Sequence, residues 1–473
     1  MQSVSATSPD PGATIPPDES QWRVGTLAYH RRGLTRLFSW LLWGDLAWSI
    51  RDRSMGSMLQ LLLKQFQASD TLAGLLSGTL PSAIGFVLGP VVSFRSDHYR
   101  SPRGRRLPFL LVSAPLAAVA ILGLGFSSVL GGALHRALGE RSPGLFPAVL
   151  IVLAGWWIVF DFATTITNTI FTALINDVVP HGVIGRFYGL FRAVSLLVGI
   201  VFNYWLLEKA EAHYQWMFVA VAAIYGVGVV LMCLRLREGD YPPPPPSVPG
   251  GGLARFLGAS REYFVRAFSQ PYYLWFYAAS QLGRQAPLPV NLYTVYYVKS
   301  LDMSLGTYGK ILAGTYVVSF CLSYVLGQLA DRFHPLRLSI AAVALYGLTV
   351  LASALLVHGK FSFGVALLVH GVLSGCYFTA SASLGQRLLP KENFAQFTSA
   401  ADLVSAGITM TLPLVLGYCL DLSGHLYRLV FWAGTLMSVA ALVSFAAFYR
   451  LWSANDGAPP ATAADLPTAP RIP

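Results

Sequence analysis

LFSWLLWGDLAWSIRDRSMGSMLQLLLKQF, from Leu37 to Phe66, is apolar throughout yet carries four charges in its interior: Asp45, Arg51, Asp52 and Arg53. About 20 residues span a hydrocarbon core at 1.5 Å rise each, so this stretch overshoots and its helix must tilt. Insertion scales place the cost of one charge at the bilayer centre on the order of 2.5–3.5 kcal/mol. Charges kept there face a bundle interior or a wet cavity, usually paired, and mark a substrate or ion path. Asp52 could simply neutralise Arg51 or Arg53 and orient the helix. Asp45 then lacks a structural reason, so the stretch reads as a functional helix.

The composition extends this reading to the whole chain. Hydrophobic residues make up 54% and charged residues 12%, and the mean hydropathy is +0.55. Soluble domains carry about 25% charged residues. Apolar runs of membrane-crossing length recur to the end, which predicts a polytopic all-α membrane protein. Cys233, Cys321, Cys376 and Cys419 all lie inside apolar runs and read as buried thiols rather than a disulfide framework. The segment from Leu37 onward is too long and too charged for a signal peptide.

Residues 1–36 read as a polar tail, and residues 37–234 as a six-helix bundle. Residues 235–270 form a linker with five prolines in a row, Pro242–Pro246, which favour a stiff polyproline II spacer. Its second part places Leu253, Phe256, Leu257, Phe264 and Phe268 on one helical face, with Arg255, Arg261 and Arg266 largely off it. This pattern suits either a helix lying on an anionic membrane surface or simple linkage. Residues 271–451 read as a second six-helix bundle, and residues 452–473 are expected to be a disordered tail. The total is about twelve spans, each half reading alike.

Lys and Arg counts set the orientation. With the N-terminus in the cytoplasm, that side holds roughly 21 of the 33 Lys and Arg, against about 7 opposite. Both termini are therefore expected in the cytoplasm of a cell-membrane protein. The net charge of +11 is a topology signal and not a nucleic-acid footprint. The halves also echo each other: SFRSDHYRSPRGRRLP after span two answers GQLADRFHPLRL after span eight. Duplicated halves place substrate and ion sites near the midplane between them.

Gly44-Asp45, the SDxxRSxxGRRxPF pattern over Ser96–Phe109 and the WxxxDxA…N stretch over Trp157–Asn168 carry a family resemblance. The chain resembles the major facilitator superfamily over nearly its whole membrane region. Within it, the chain looks like the glycoside–pentoside–hexuronide cation symporters and their sucrose-transporter relatives. The resemblance implies that Asp45, Asp161 and Asn168 bind sugar and coupling ion. It also implies that Asp97, Arg103, Gly104, Arg105, Arg106, Asp331 and Arg332 latch one face of the transporter. The pattern is not followed everywhere: His98 and Ser93 stand where Arg and Gly are usual, and Thr172 where sucrose-type relatives carry Arg. Residues 70–94 have no internal carboxylate, so the acidic pair of a melibiose-type cation site is missing.

The residues themselves supply the chemistry. A buried carboxylate suits proton coupling because desolvation favours its neutral form while a nearby Arg opposes this. Asp45 and Asp161 are the expected coupling groups, with Asp52 third and held ionised by Arg51 and Arg53. The coupling ion is expected to be H⁺ rather than Na⁺, with no cofactor and no metal. Sugar recognition needs aromatic faces and polar groups in an apolar cavity. Trp48, Arg51, Arg53, Trp157, Asn168, Arg192, Gln281, Arg284, Gln285 and Asn291 provide them, with Trp156 an alternative to Trp157. Pro287 and Pro289 predict a broken seventh span lining the cavity. His370 and Asp402 read as interhelical polar residues rather than proton shuttles.

The resulting expectation is a secondary transporter, which the resemblance narrows to proton-coupled symport of a sugar or glycoside by a monomer in the bilayer. Its rivals are an organic anion, hexuronide or lysolipid carrier, and a non-transporting sensor on the same fold. No G-x-x-x-x-G-K-[ST] loop and no H-E-x-x-H occur, so an ATP-driven pump and an intramembrane metalloenzyme have no support.

Overall fold

The computed structural model describes residues 22–241, 268–390 and 394–455. The Pro242–Pro246 run, nearly all of the expected amphipathic helix and the end of the chain lie outside these. A hairpin opens the described chain, β1 Trp22–Val24 pairing antiparallel with β2 Leu27–Tyr29. It turns at Gly25, whose φ of +54° suits a residue without a Cβ. Asp240 donates its N–H to Thr26 Oγ at 2.8 Å, closing the hairpin on the segment after the sixth span. The segment expected as a polar tail is therefore structured from Trp22, and α1 starts at Arg31 rather than Leu37. Hydropathy marks where a chain meets lipid, but helical hydrogen bonding continues into water.

The helices that follow are α1 Arg31–Gln65, α2 Asp70–His98, α3 Leu107–Gly125, α4 Ser127–Leu138, α5 Leu145–Val178, α6 Ile184–Val201 and α7 Ala210–Arg235. In the second half come α8 Pro271–Gln285, α9 Leu288–Ser300, α10 Leu305–Arg332, α11 Pro335–Leu356, α12 Lys360–Ser381, α13 Leu384–Leu388, α14 Phe394–Leu422 and α15 Leu429–Ala454. Among the described residues, eight stretches are long and apolar enough to cross a membrane. α1, the α8–α9 pair and α10 are the more polar long elements. Large side chains such as Trp216 (74% exposed) and Phe361 (86%) stand on the outer surface, as a lipid-facing surface requires. The expectation of four buried thiols is corrected: Cys233 is buried, Cys376 half-buried, and Cys321 and Cys419 exposed, because an apolar run in a membrane helix has faces outside the protein core. The chain is an all-α integral membrane protein.

The seventh span is broken where the prolines predict, between Gln285 and Leu288. The stretch between spans three and four is not a plain loop, because α4 occupies it and packs on α5.

Within the first half, α3 packs on α5 and α7, and α1 on α6 and α7; within the second, α10 packs on α12, α11 on α12 and α15, and α8 on α14 and α15. Among the described residues, three main seams join the halves: α2 with α14, α6 with α10, and α1 with α9. Two of them are marked by π-helical turns, Leu75–Thr79 in α2 and Phe202–Leu206 at the end of α6. Such turns leave local carbonyls free of the regular ladder and recur at functional positions. At the first seam Gly74 and Gly78 lie directly against Pro413, and at the second Gly309 lies against the Asn203 carbonyl. A side chain at any of these glycines would separate the halves.

Arg235 stacks over Trp40 at 5.5 Å, so the start of α1 and the end of α7 share one side, here the terminal side. The ends of α1 and α14 meet on the far side.

Candidate functional site

Near the middle of α1, Trp48 donates its indole N–H to Asn168 Oδ1 of α5 at 2.6 Å, and Arg51 Nη2 donates to the same oxygen at 2.9 Å. The Arg51 guanidinium lies 5.2 Å from the Trp48 ring and 5.5 Å from that of Tyr225 on α7. Arg51 is only 5% exposed, and its Nε has no partner among the described residues. Asp161 is buried, with Oδ2 unpartnered. Asp45, fully buried, accepts from Ser49 Oγ at 3.3 Å through Oδ1, and its Oδ2 is likewise unpartnered. Gly44 makes this burial possible by letting α1 lie against the Met232 side chain of α7.

Arg53 faces another way. It donates to Ser195 Oγ of α6 at 2.8 Å and lies over the Tyr316 ring of α10 at 5.3 Å, so it spans the two halves. Asp52 is exposed and forms no ion pair with either arginine. The expectation that Arg51 and Arg53 hold Asp52 is corrected: adjacent residues on a helix point about 100° apart, and each arginine finds its partner on another helix. Trp157 is also corrected as an open stacking face. It is buried against Phe160 and donates its N–H to Leu76 O, inside the π turn of α2, at 2.7 Å. Arg192 is exposed on α6.

The second half brings different groups together. Gln281, Arg284 and Asp402 line one cavity of about 380 Å³ with Ser280 and Thr398. Gln285 is turned to Ser405, donating at 2.8 Å. His370, buried, bridges Tyr346 OH at 3.0 Å and Asn291 Oδ1 at 3.1 Å. Gln60 of α1 donates to Asn291 O at 3.1 Å and accepts from Val295 N at 3.3 Å, tying α1 to the broken span. Gln60 was visible in the opening stretch as an amide with apolar residues on both sides; Tyr225, Ser195 and Tyr316 gave no comparable signal.

On the far side Asp421 of α14 receives Asp70 N at 2.8 Å, Thr71 N at 2.9 Å and Thr71 Oγ at 2.5 Å, the start of α2. Asp70 in turn accepts from Tyr427 OH at 3.2 Å and lies 2.7 Å from His425 Nδ1. Lys64 at the end of α1 donates to Tyr427 OH at 3.3 Å. Thr79 Oγ reaches Met410 O at 2.7 Å, extending the closure inward.

The basic loop behaves differently. Arg106 pairs with Asp97 at 2.5 Å and with Asp177 at 3.0 Å, while Arg105 pairs with Asp177 at 2.9 Å and more loosely with Asp97 at 3.7 Å. Glu238 accepts three backbone N–H groups at the start of α3, from Arg105, Arg106 and Leu107. Gly104 has φ +103°, and a Cβ there would collide with the Glu238 carboxylate. Burial opposes the Arg105 charge, but Asp177 outweighs it and holds the guanidinium above its ordinary pKa. The Tyr241 ring lies 4.1 Å from Arg105, and burial beside Glu238 and Asp177 pushes its phenol up. This network joins elements of the first half, so Asp97 contacts Arg105 and Arg106 rather than the second half. Arg103 and Arg332 are exposed, and the Asp331 side chain lies outside the described residues. Asp177 at the end of an apolar span and Glu238 among the charges of the linker belong to no motif, so the sequence reading did not single them out.

Known proteins agree with this architecture. A sucrose transport protein of Arabidopsis thaliana is 28% identical over 121 residues, 24% of this chain and 23% of that protein. One of Oryza sativa subsp. indica is 32% identical over 97 residues, 20% and 19% of the two chains. The chain thus matches less than a quarter of the length of these relatives. A variant of the nucleoside transporter NupG superposes with a TM-score of 0.65 at 12% identity, covering 87% of this chain and 100% of that one. A peptide transporter POT in complex with sulfate gives 0.62 at 12% identity, covering 92% and 97%. These structures share the fold alone. The Major Facilitator Superfamily profile matches residues 45–407 and 288–472, and the chain belongs to that superfamily of transporters.

Proposed function

We propose that the protein is a proton-coupled symporter of a sugar or glycoside, working by alternating access with both termini in the cytoplasm. The observation that carries this reading is the cluster on α1 and α5. Arg51 shares Asn168 Oδ1 with Trp48, and Asp161 lies buried on the same helix as Asn168. A sugar entering there would stack on Trp48 and compete for the Arg51 and Asn168 hydrogen bonds. Asp45 and Asp161 each keep an unpartnered buried oxygen, where a proton resolves the cost of a desolvated carboxylate. The partial match to sucrose transport proteins supports a sugar, and the far-side closure supports a state open toward the terminal side.

Exposed Arg192 and Arg284 favour one alternative, a hexuronide or other organic anion. Neither forms an ion pair with any described residue.

Purified protein in proteoliposomes tests both readings by substrate-induced external pH change over neutral sugars and hexuronates. Alkalinisation with a neutral sugar, lost in Asp45→Asn, is the expected result. A response to hexuronates alone selects the anion carrier, and binding of a panel member without flux defeats both.

A further inference from the structure

The far-side closure contains a group that the transport reading does not use. His425 sits in the short turn between α14 and α15 with φ +66°, directly after Gly424 at +67°. A non-glycine residue in the left-handed region is disfavoured and persists where its surroundings demand it. The turn is held by His425 N donating to Leu420 O at 2.9 Å. This winding carries the imidazole across to the first half, where Nδ1 lies 2.7 Å from Asp70 Oδ2.

The two partners differ in exposure. The Asp70 side chain is 1% exposed, whereas that of His425 is 54% exposed and exchanges protons with bulk water. The other groups facing this pair are Asp421 from α14, which is spent on the α2 backbone, Tyr427 from the same turn and Lys64 from α1. Tyr293 and Tyr296 approach from α9, with Tyr293 donating to Asp70 O at 3.0 Å. Lys64 reaches Tyr427 OH at 3.3 Å and not the Asp70 carboxylate, so His425 supplies the direct cationic contact.

We propose that His425 and Asp70 form a proton-sensitive clasp that holds the far side of the transporter shut. As imidazolium, His425 gives Asp70 a charge-assisted hydrogen bond across the halves; as neutral imidazole it gives an ordinary one. The clasp is therefore strong while the imidazole carries its second proton and weakens as rising pH removes it. The fold opens one side by rocking its halves, so this bond must break before the far side opens. Bulk pH on the far side thereby biases which side is open, independently of any proton carried with substrate.

Spin labels at Glu140→Cys and Lys360→Cys, in a background with the native cysteines replaced, report the far-side distance between halves without substrate. Between pH 5.5 and 8 the ratio of short to long distances should fall about threefold to tenfold, the difference between charged and neutral hydrogen bonds at a half-exposed site. His425→Gln keeps a donor that does not titrate and should abolish this pH dependence while the protein remains monodisperse. Tyr427→Phe should lengthen the distribution at every pH yet keep the slope. A wild type insensitive to pH, or a His425→Gln variant that shifts as the wild type does, overturns the proposal and leaves the symport reading untouched.

Discussion

Trp48 and Arg51, one turn apart on α1, donate to a single oxygen, Oδ1 of Asn168, at 2.6 and 2.9 Å. One amide therefore fixes both an aromatic face and a buried guanidinium, and α1 cannot shift against α5 without disturbing both.

Asn168→Ala removes that shared acceptor and leaves Arg51 with nothing at 2.9 Å. Stability should fall by about 1–3 kcal/mol, and sugar-driven proton uptake by at least about tenfold. Thermal unfolding in detergent alongside flux separates the two effects. Flux within twofold of wild type, about 0.4 kcal/mol, would remove Asn168 from the site.

Trp157→Phe deletes the N–H that reaches Leu76 O and leaves space where the second ring of the buried indole stood. Loss of about 2–3 kcal/mol of stability is expected, with half-saturation for substrate unchanged. A clear rise in half-saturation at unchanged maximal rate would return Trp157 to the binding surface.

At the terminal-side network, Glu238→Gln weakens three N–H contacts at the start of α3 and should lower stability by about 1–2 kcal/mol. Gly104→Ala should cost at least as much, because it adds a left-handed alanine and a collision with the same carboxylate. Melting curves of both variants check the order. An alanine variant as stable as wild type would mean that the loop readily adopts another path.

Asp45→Asn should abolish uphill, proton-driven accumulation and leave exchange of labelled for unlabelled substrate within about threefold, since an amide mimics the protonated acid. Paired counterflow and uptake assays read this directly. Uphill uptake surviving in the variant would pass the coupling role to Asp161.

The membrane class, the broken seventh span and the special status of α1 were legible in the sequence. Each depends on local physics: hydropathy per residue, the missing N–H of Pro287 and Pro289, and the cost of charge in hydrocarbon. The family followed from short motifs whose spacing is local too. Partner choice was not legible. Arg51 and Arg53 flank Asp52 in the chain, yet one meets Asn168, 117 residues away, and the other Tyr316, 263 residues away. Asp421 and His425 gave no signal beyond ordinary polar turn residues, and only the meeting of α2 with α14 turned them into a closure. The sequence sets which groups the bilayer will not tolerate alone. Their partners come from helices hundreds of residues apart, so only the packing of the two halves decides which charge satisfies which.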